Sequence, residues 1–512
     1  MEKVSKNEFA KSAIWRMLGS IAAKGVSFAI SIILARIIAP EDYGIIAIAA
    51  VFINLSDIFI EGGFTTALIR KKEIDEYDYS SVFITSFAIS AILYLILFFC
   101  SPFVAHYYEK DILDPLLKVI GIMFFIQALS CTRNVYVQRH MQFKYLSICN
   151  IIASIVSGVV GIICAYSGLG VWSLVIQQLL QQAIVTLLLY VKVRIKFKWG
   201  IKWKNLREIF TFSSGVMGAS LLNYGSSYLS NLFIPKIYSV EDLGYSDKGS
   251  QLPMQISLYT FGAMSGVLLP TLASYQDDLE SFKRIMRKVV AMTAFFILPM
   301  MVGMAIVSEE LIVVLLTDKW LPALRIMQYA CIYYIATPFM LININVFYSL
   351  GHKYMRIKTE IVRFVLIMLG LLIFPFLLHC SLNQFALVSA IIAVLSMIVT
   401  YCEVWRFTRY SLVEVFKDTW KQALSAVLMG AVVFSLHHFL PRLGLTNYIL
   451  RLLICFSLGV ISYFLLVWLF KAESFVELKN TLLSKFSKKK AAVETPNSEE
   501  QAQEENNEYS DE

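Results

Sequence analysis

"RIIAPEDYG" (Arg36–Gly44) and "KIYSVEDLG" (Lys236–Gly244) stand 200 residues apart without a gap. They share a basic first residue, Ile37/Ile237, a Glu-Asp pair and the closing glycine. Holding that offset over residues 11–44 adds Met17/Met217, Ser20/Ser220, Gly25/Gly225 and Ser27/Ser227, eight identities in 34 positions. Gly62/Gly262 and Leu68/Leu268 match further on. Each phrase falls between two apolar runs and reads as a stop and a start. Pro40 cannot continue the first helix. Glu41-Asp42 and Glu241-Asp242 then fall where the next helix begins and are expected to accept bonds from the free N–H groups at its positive end. The phrase is a structural signal, stated once in each half of a repeat.

The runs around it set the class. The 512 residues are 58% hydrophobic and 16% charged, with a mean hydropathy of +0.66, whereas soluble domains carry roughly a quarter charged residues. The apolar residues form continuous stretches such as "FAISAILYLILFF" (Phe87–Phe99), and about 20 such residues cross a bilayer as a helix. Fourteen spans are expected, near 12–37, 44–69, 80–104, 115–136, 147–167, 171–191, 209–236, 244–272, 286–307, 322–349, 357–378, 383–405, 420–440 and 446–470. With the N-terminus inside, alternate connections hold 35 Lys/Arg on the inner side and 9 on the outer, Lys24 alone lying mid-span. That asymmetry predicts two cytoplasmic termini in a multi-pass chain. No cleavable leader is expected from "MEKVSKNEFAKSAIWRM".

Six spans separate the phrases, so both halves share one orientation, as in a parallel repeat about the membrane normal. The expected fold is all-α integral membrane: two six-helix lobes (1–200 and 201–410) around a central cavity, an extra helix pair (411–475) and a tail (476–512). The tail runs from basic to acidic and is expected to be disordered. The net charge of +8 is the ordinary inward excess facing anionic lipid, not a nucleic-acid surface. Eight scattered cysteines and six histidines show no metal spacing.

Five stretches carry a family resemblance: "ALIRKKEIDEYDYSSVF" (Ala67–Phe83), "VQRHMQFKYL" (Val137–Leu146), "GVWSLVIQQL" (Gly170–Leu179), "EDLGYSDKGSQLP" (Glu241–Pro253) and "LLTDKWLPALRIMQ" (Leu315–Gln328). In order and spacing, over residues 8–410, the chain resembles the Wzx-type polysaccharide transporters. These are O-antigen and colanic-acid flippases in a superfamily with the lipid II flippase and the multidrug/toxin extruders. The resemblance implies a carrier that moves polyprenyl-diphosphate-linked oligosaccharide, a lipopolysaccharide, capsule or exopolysaccharide repeat unit, to the periplasmic leaflet. It also implies contacts with polysaccharide polymerase and glycosyltransferases. Where such proteins often carry Asp before the Asn of span seven, this chain has Ser230 before Asn231.

An anionic headgroup needs a wet, cationic cavity, and ionisable groups inside spans point to one. Lys24 is mid-span, and its repeat partner is the neutral Tyr224. Arg16 could share a broad face with it or snorkel to the surface. Lys248 could touch substrate or pair on the rim with Asp247. Asp57 and Glu61, one turn apart, are either a site for H+ or Na+ coupling or the counter-charge of a buried base. No other cofactor is implied. Gln177, Gln178, Gln181 and Gln182 read first as interhelical glue. Short outer loops and the lack of a Walker motif or a His/Asp constellation argue against an enzyme such as a polymerase or acyltransferase. The rival transporter reading is a cation-coupled drug extruder.

Overall fold

In hydrocarbon, backbone N–H and C=O groups must be satisfied within the segment, so apolar runs of this length fold as helices. The computed structural model describes residues 6–71, 74–195, 200, 202–472 and 475, and no strand occurs among them. α1 (Lys6–Ile37) contains the first expected span. The second is α2 (Pro40–Asp57), a π-helical turn (Ile58–Gly62) and α3 (Gly63–Arg70). α4 (Glu76–Tyr108) is the third, and α5 (Leu113–Ile120) with α6 (Ile122–Arg139) makes the fourth. α7 (Phe143–Tyr166) and α8 (Val171–Lys192) complete the first six.

α9 (Trp203–Ile237), α10 (Val240–Ser274) and α11 (Leu279–Ile306) follow. A short α12 (Ser308–Leu315) and a 3-10 turn (Asp318–Ala323) lead into α13 (Leu324–Ser349). α14 (Lys353–Leu371), extended by a π-helical turn (Leu372–Leu377), and α15 (Leu382–Thr408) are the eleventh and twelfth spans. α16 (Leu412–Phe439) and α17 (Tyr448–Leu469) form the last pair. Every expected span therefore lies on helix. Ten stretches among the described residues are long and apolar enough to cross a membrane. The remaining expected spans lie on α1, α9, α10 and α14. The expected tail, 476–512, lies outside the described residues.

By its internal contacts the chain forms two compact units. One holds residues up to 254 with 308–333 and 352–396, and the other holds 255–307 and 334–351 with residues from 397 onward. In the first unit α1 lies against α7 through small residues. A Cβ added at Gly19 would fall 2.2 Å from the Ser147 Cβ, and one at Gly158 would fall 2.1 Å from Ile30 Cδ1. The quoted motifs cap helices there. Lys71 donates to Asp78 at 2.7 Å, the Asp78 carboxylate accepts from the Asp75 N–H at 2.9 Å, and Arg139 donates to the α3 carbonyl of Leu68 at 3.0 Å. Those bonds satisfy helix-end groups that would otherwise be orphaned.

In the second unit α11, α16 and α17 pack along one seam. A Cβ at Gly430 would sit 2.8 Å from Val302 Cγ1, and one at Gly459 would sit 3.1 Å from Val433 Cγ2. The Tyr463 hydroxyl donates to the Phe295 carbonyl at 2.7 Å. At one end Arg287 donates both fork bonds to Asp418, at 2.9 and 2.6 Å, a charge-assisted bidentate pair. Tyr410 donates to the same carboxylate at 2.7 Å. Burial, and then that hydrogen bond, push the Tyr410 hydroxyl above its ordinary value.

Candidate functional site

The two phrases of the repeat touch. A Cβ added at Gly44 would lie 1.8 Å from the Val240 carbonyl oxygen, and one added at Gly244 would lie 2.0 Å from the Pro40 carbonyl oxygen. Residues 40 and 240, and 44 and 244, are partners in the repeat, so the contact is reciprocal. The first turns of α2 and α10 cross with backbone against backbone, an approach that only glycine permits. Their starts differ in detail. Pro40 occupies the first turn of α2, which has no side-chain cap. On α10 the Ser239 hydroxyl accepts from the Asp242 N–H at 3.0 Å and donates to the Asp242 carboxylate at 2.8 Å. The expectation that the Glu-Asp carboxylates accept the first N–H bonds is thus corrected, since a serine hydroxyl does so in the second copy. Glu41 pairs instead with Lys110, and Glu241 accepts from the Tyr245 hydroxyl at 2.6 Å.

Around the crossing, the "LLTDKWLPALRIMQ" motif closes the end of α1. Lys319 donates to the Arg36 and Ile38 carbonyls at 2.9 and 2.8 Å, and the Trp320 indole donates to Ala35 at 2.9 Å. These are the carbonyls that a helix C-terminus leaves without an internal partner. Lys248 is buried beside them. It donates to Ser31 Oγ at 2.8 Å and Gln251 Oε1 at 3.0 Å, and its ammonium lies 4.2 Å from the centroid of the Tyr43 ring. Tyr43 in turn meets Trp320 edge to face at 5.5 Å.

Lys24 occupies a different setting. It lines a cavity of about 360 Å³ between α1, α6, α7 and α8, with Ser27, Gln138, Asn150, Ser154 and Gln181. Ser27 and Ser154 share a hydrogen bond of 3.1 Å, and the Gln181 amide donates to Ser154 Oγ at 3.4 Å. Phe143 adds an apolar wall. One ammonium among hydroxyls and amides can attract an anion and hydrogen-bond a polyol, two demands that a purely apolar cleft cannot meet.

The family of polysaccharide biosynthesis proteins matches residues 33–325, more than half of this sequence. The chain belongs to that family. The succinoglycan biosynthesis transport protein ExoT of Rhizobium meliloti is 25% identical over 321 residues, 62% of this chain and 64% of ExoT. The teichuronic acid biosynthesis protein TuaB of Bacillus subtilis is 24% identical over 441 residues, 84% of this chain and 88% of TuaB. The lipopolysaccharide biosynthesis protein WzxC of Escherichia coli is 20% identical over 62% of this chain and 65% of WzxC. The chain thus spans slightly less than two thirds of ExoT and WzxC. Among solved structures, the lipid II flippase MurJ in an inward closed conformation matches with a TM-score of 0.70 at 17% identity, covering 88% of this chain and 98% of MurJ. An inward-facing multidrug resistance transporter of the MATE family matches with a TM-score of 0.60 at 15% identity, over 78% of this chain and 99% of its own. These likenesses establish a multi-pass helical transporter fold.

Asp57 is the last residue of α2, half-buried, and enters the π-helical turn. Glu61 lies inside that turn and Arg16 on α1, but their side chains fall outside the described residues. π-turns widen a helix by one residue and often mark functional positions. Lys248 is not among the residues that line the Lys24 cavity. Gln182 does act as glue, donating to Ser130 Oγ at 3.4 Å, whereas Gln181 both bonds across helices and lines the cavity. Sequence reasoning missed Asn150 and Ser154, which sit within an apolar run, and a polar seam between α9 and α14. There Asn223 donates to Glu360 at 3.3 Å and Arg363 to Ser227 at 3.1 Å. The glutamate at 360 was a legible signal, as an acid four residues into an expected span.

Proposed function

We propose that the chain is a flippase that carries a polyprenyl-diphosphate-linked oligosaccharide from the cytoplasmic to the periplasmic leaflet of a bacterial inner membrane. The observation that carries this reading is the Lys24 cavity, whose lining pairs one cation with sugar-compatible hydroxyls and amides. Membership in the polysaccharide biosynthesis family and the MurJ-like fold support it. The two six-helix lobes rock in alternating access, with both termini cytoplasmic, while the prenyl tail stays in the bilayer. The protein makes and breaks no covalent bond of its cargo, and it receives that cargo from glycosyltransferases and delivers it to a polymerase.

A second reading, a cation-coupled drug extruder, rests on Asp57 at the mouth of a π-turn and on the MATE-like fold. One experiment separates the two. Deleting the gene in its host and mass-analysing lipid-linked sugars is expected to reveal a complete polyprenyl-diphosphate repeat unit, protected from periplasmic enzymes. Normal surface glycan with no trapped intermediate, together with lost dye efflux, would transfer the assignment to the extruder.

A further inference from the structure

From residue 419 to residue 472 the chain contains no acidic residue. This stretch holds most of α16, its turn and all of α17, and it carries two arginines and two histidines at one end. Arg442 lies 2.9 Å from His438 Nε2, and Arg451 lies 3.4 Å from His437 Nδ1. A guanidinium can only donate, so a ring nitrogen that bonds to it accepts. Among the described residues no carboxylate pairs with Arg442, whose guanidinium sits 5.8 Å from the centroid of the Phe439 ring. Arg451 lies 5.3 Å from that of Tyr448. The helix dipole accounts for basic residues at the end of α16, but not for Arg451, which lies in the first turn of α17. A cation there opposes that helix's positive end. Its own N–H groups are already served by Asn447, which accepts from Ile449 and Leu450 at 2.9 and 3.4 Å.

Large apolar side chains are exposed on both sides of the cluster: Phe434, Phe439 and Leu443 on one, Ile449 and Leu453 on the other. Leu443 is 76% exposed. Such a surface suits acyl chains, and it places the exposed Arg442 guanidinium at the level of lipid headgroups, whereas Arg451 is buried within the turn's own packing. Arginine forks match phosphate oxygens and are weakly hydrated.

We propose that the α16–α17 turn binds the phosphate of an anionic phospholipid, in the leaflet opposite the one that meets Lys417, Lys421 and Lys471. A phospholipid satisfies both halves of the surface at once, whereas free phosphate gains nothing from Leu443 or Ile449. The site is separate from the Lys24 cavity and independent of the proposed cargo.

The test uses the purified full-length chain, delipidated in detergent and titrated with phosphatidylglycerol or phosphatidylcholine under native mass spectrometry. Phosphatidylglycerol is expected to bind preferentially. Arg442→Gln keeps a donor for His438 but removes the charge, and should weaken that binding about tenfold, the loss of one charge-assisted contact. Arg442→Lys keeps the charge but not the fork, and should bind phosphatidylglycerol more weakly than wild type and more strongly than Arg442→Gln. A melting temperature equal to wild type in both variants shows that the fold is intact. Should Arg442→Gln melt early, the same comparison between wild type and Arg442→Lys, with the two lipids in competition, decides the matter. Equal binding of the two lipids overturns the proposal, as does unchanged phosphatidylglycerol binding in folded Arg442→Gln. Displacement by inorganic phosphate at equal concentration would make the turn a free-anion site. Displacement by a polyprenyl diphosphate at much lower concentration would give it to the transported lipid.

Discussion

Lys24 and Tyr224 are partners across the 200-residue repeat, yet α1 and α9 use that position in opposite ways. Lys24 opens onto a polar cavity. Tyr224 turns inward, donates its hydroxyl to the Val51 carbonyl at 2.6 Å and stacks on Tyr228 at 4.6 Å. The pair at 48 and 248 is reversed. Ile48 is fully buried, and Lys248 is the buried cation held by Ser31 and Gln251. Gly44 and Gly244, by contrast, do the same job in both halves, because each must admit the other half's carbonyl. Where the constraint is backbone crossing, the repeat stays symmetric. Where it is side-chain chemistry at these two positions, the halves have parted, and the ammoniums of Lys24 and Lys248 each stand in one copy only.

The sharpest way to break this comparison is at the crossing. Gly44→Val and Gly244→Val each drive a side chain into a main-chain oxygen that cannot swing aside, so each is expected to cost about 3 kcal/mol or more. The two losses should be alike, read as melting temperature and monodisperse yield in detergent. The double variant should fall well short of additive, since one displacement of the helices relieves both collisions. If either single variant folds as wild type, the crossing is not reciprocal and the symmetric half of the comparison fails.

Lys24 and Tyr224 sharpen the asymmetric half. Lys24→Gln keeps length and polarity but removes the charge, and is expected to lower glycan export at least about tenfold, the loss of one charge-assisted contact to the cargo, at unchanged expression. Tyr224→Phe should leave export intact and cost about 1 kcal/mol of stability, the worth of one hydrogen bond. Equal export by Lys24→Gln and wild type would remove the residue on which the cationic cavity depends.

Much of this was readable from the sequence, for physical reasons that also mark where reading stopped. Hydrocarbon leaves a segment little choice but helix, so the fourteen apolar runs, α4 and α17 among them, lie on helix. The glycines of the phrase were visible, but a local reading could treat them only as part of a stop and a start. Their role depends on which backbone arrives from 200 residues away. Ser154 and Asn150 were hidden because an apolar helix does not announce which of its faces will meet α1. The π-turn after Asp57 has no side-chain signature, since it comes from one extra residue accommodated in the backbone ladder. Arg363 lies within α14 and reaches Ser227 on α9, a pairing that only tertiary contact could reveal.

The mildest substitution addresses Lys248, whose sequence reading left substrate contact and rim pairing open. Lys248→Met preserves volume and stem while deleting the ammonium, its two hydrogen bonds and its contact with Tyr43. Replacing a buried charge by a similar apolar group often costs little, because the desolvation penalty of the charge disappears with it. The expected loss is therefore about 1 kcal/mol, and export should fall no further than the folded fraction does. Lys248→Ala, which also leaves a cavity beside Tyr43, should cost more, by about 1–2 kcal/mol. The informative outcome is a split between the two readouts. If Lys248→Met melts with wild type and loses export, the ammonium is serving cargo rather than the Tyr43–Trp320 cluster, and the second half of the repeat carries a working charge of its own.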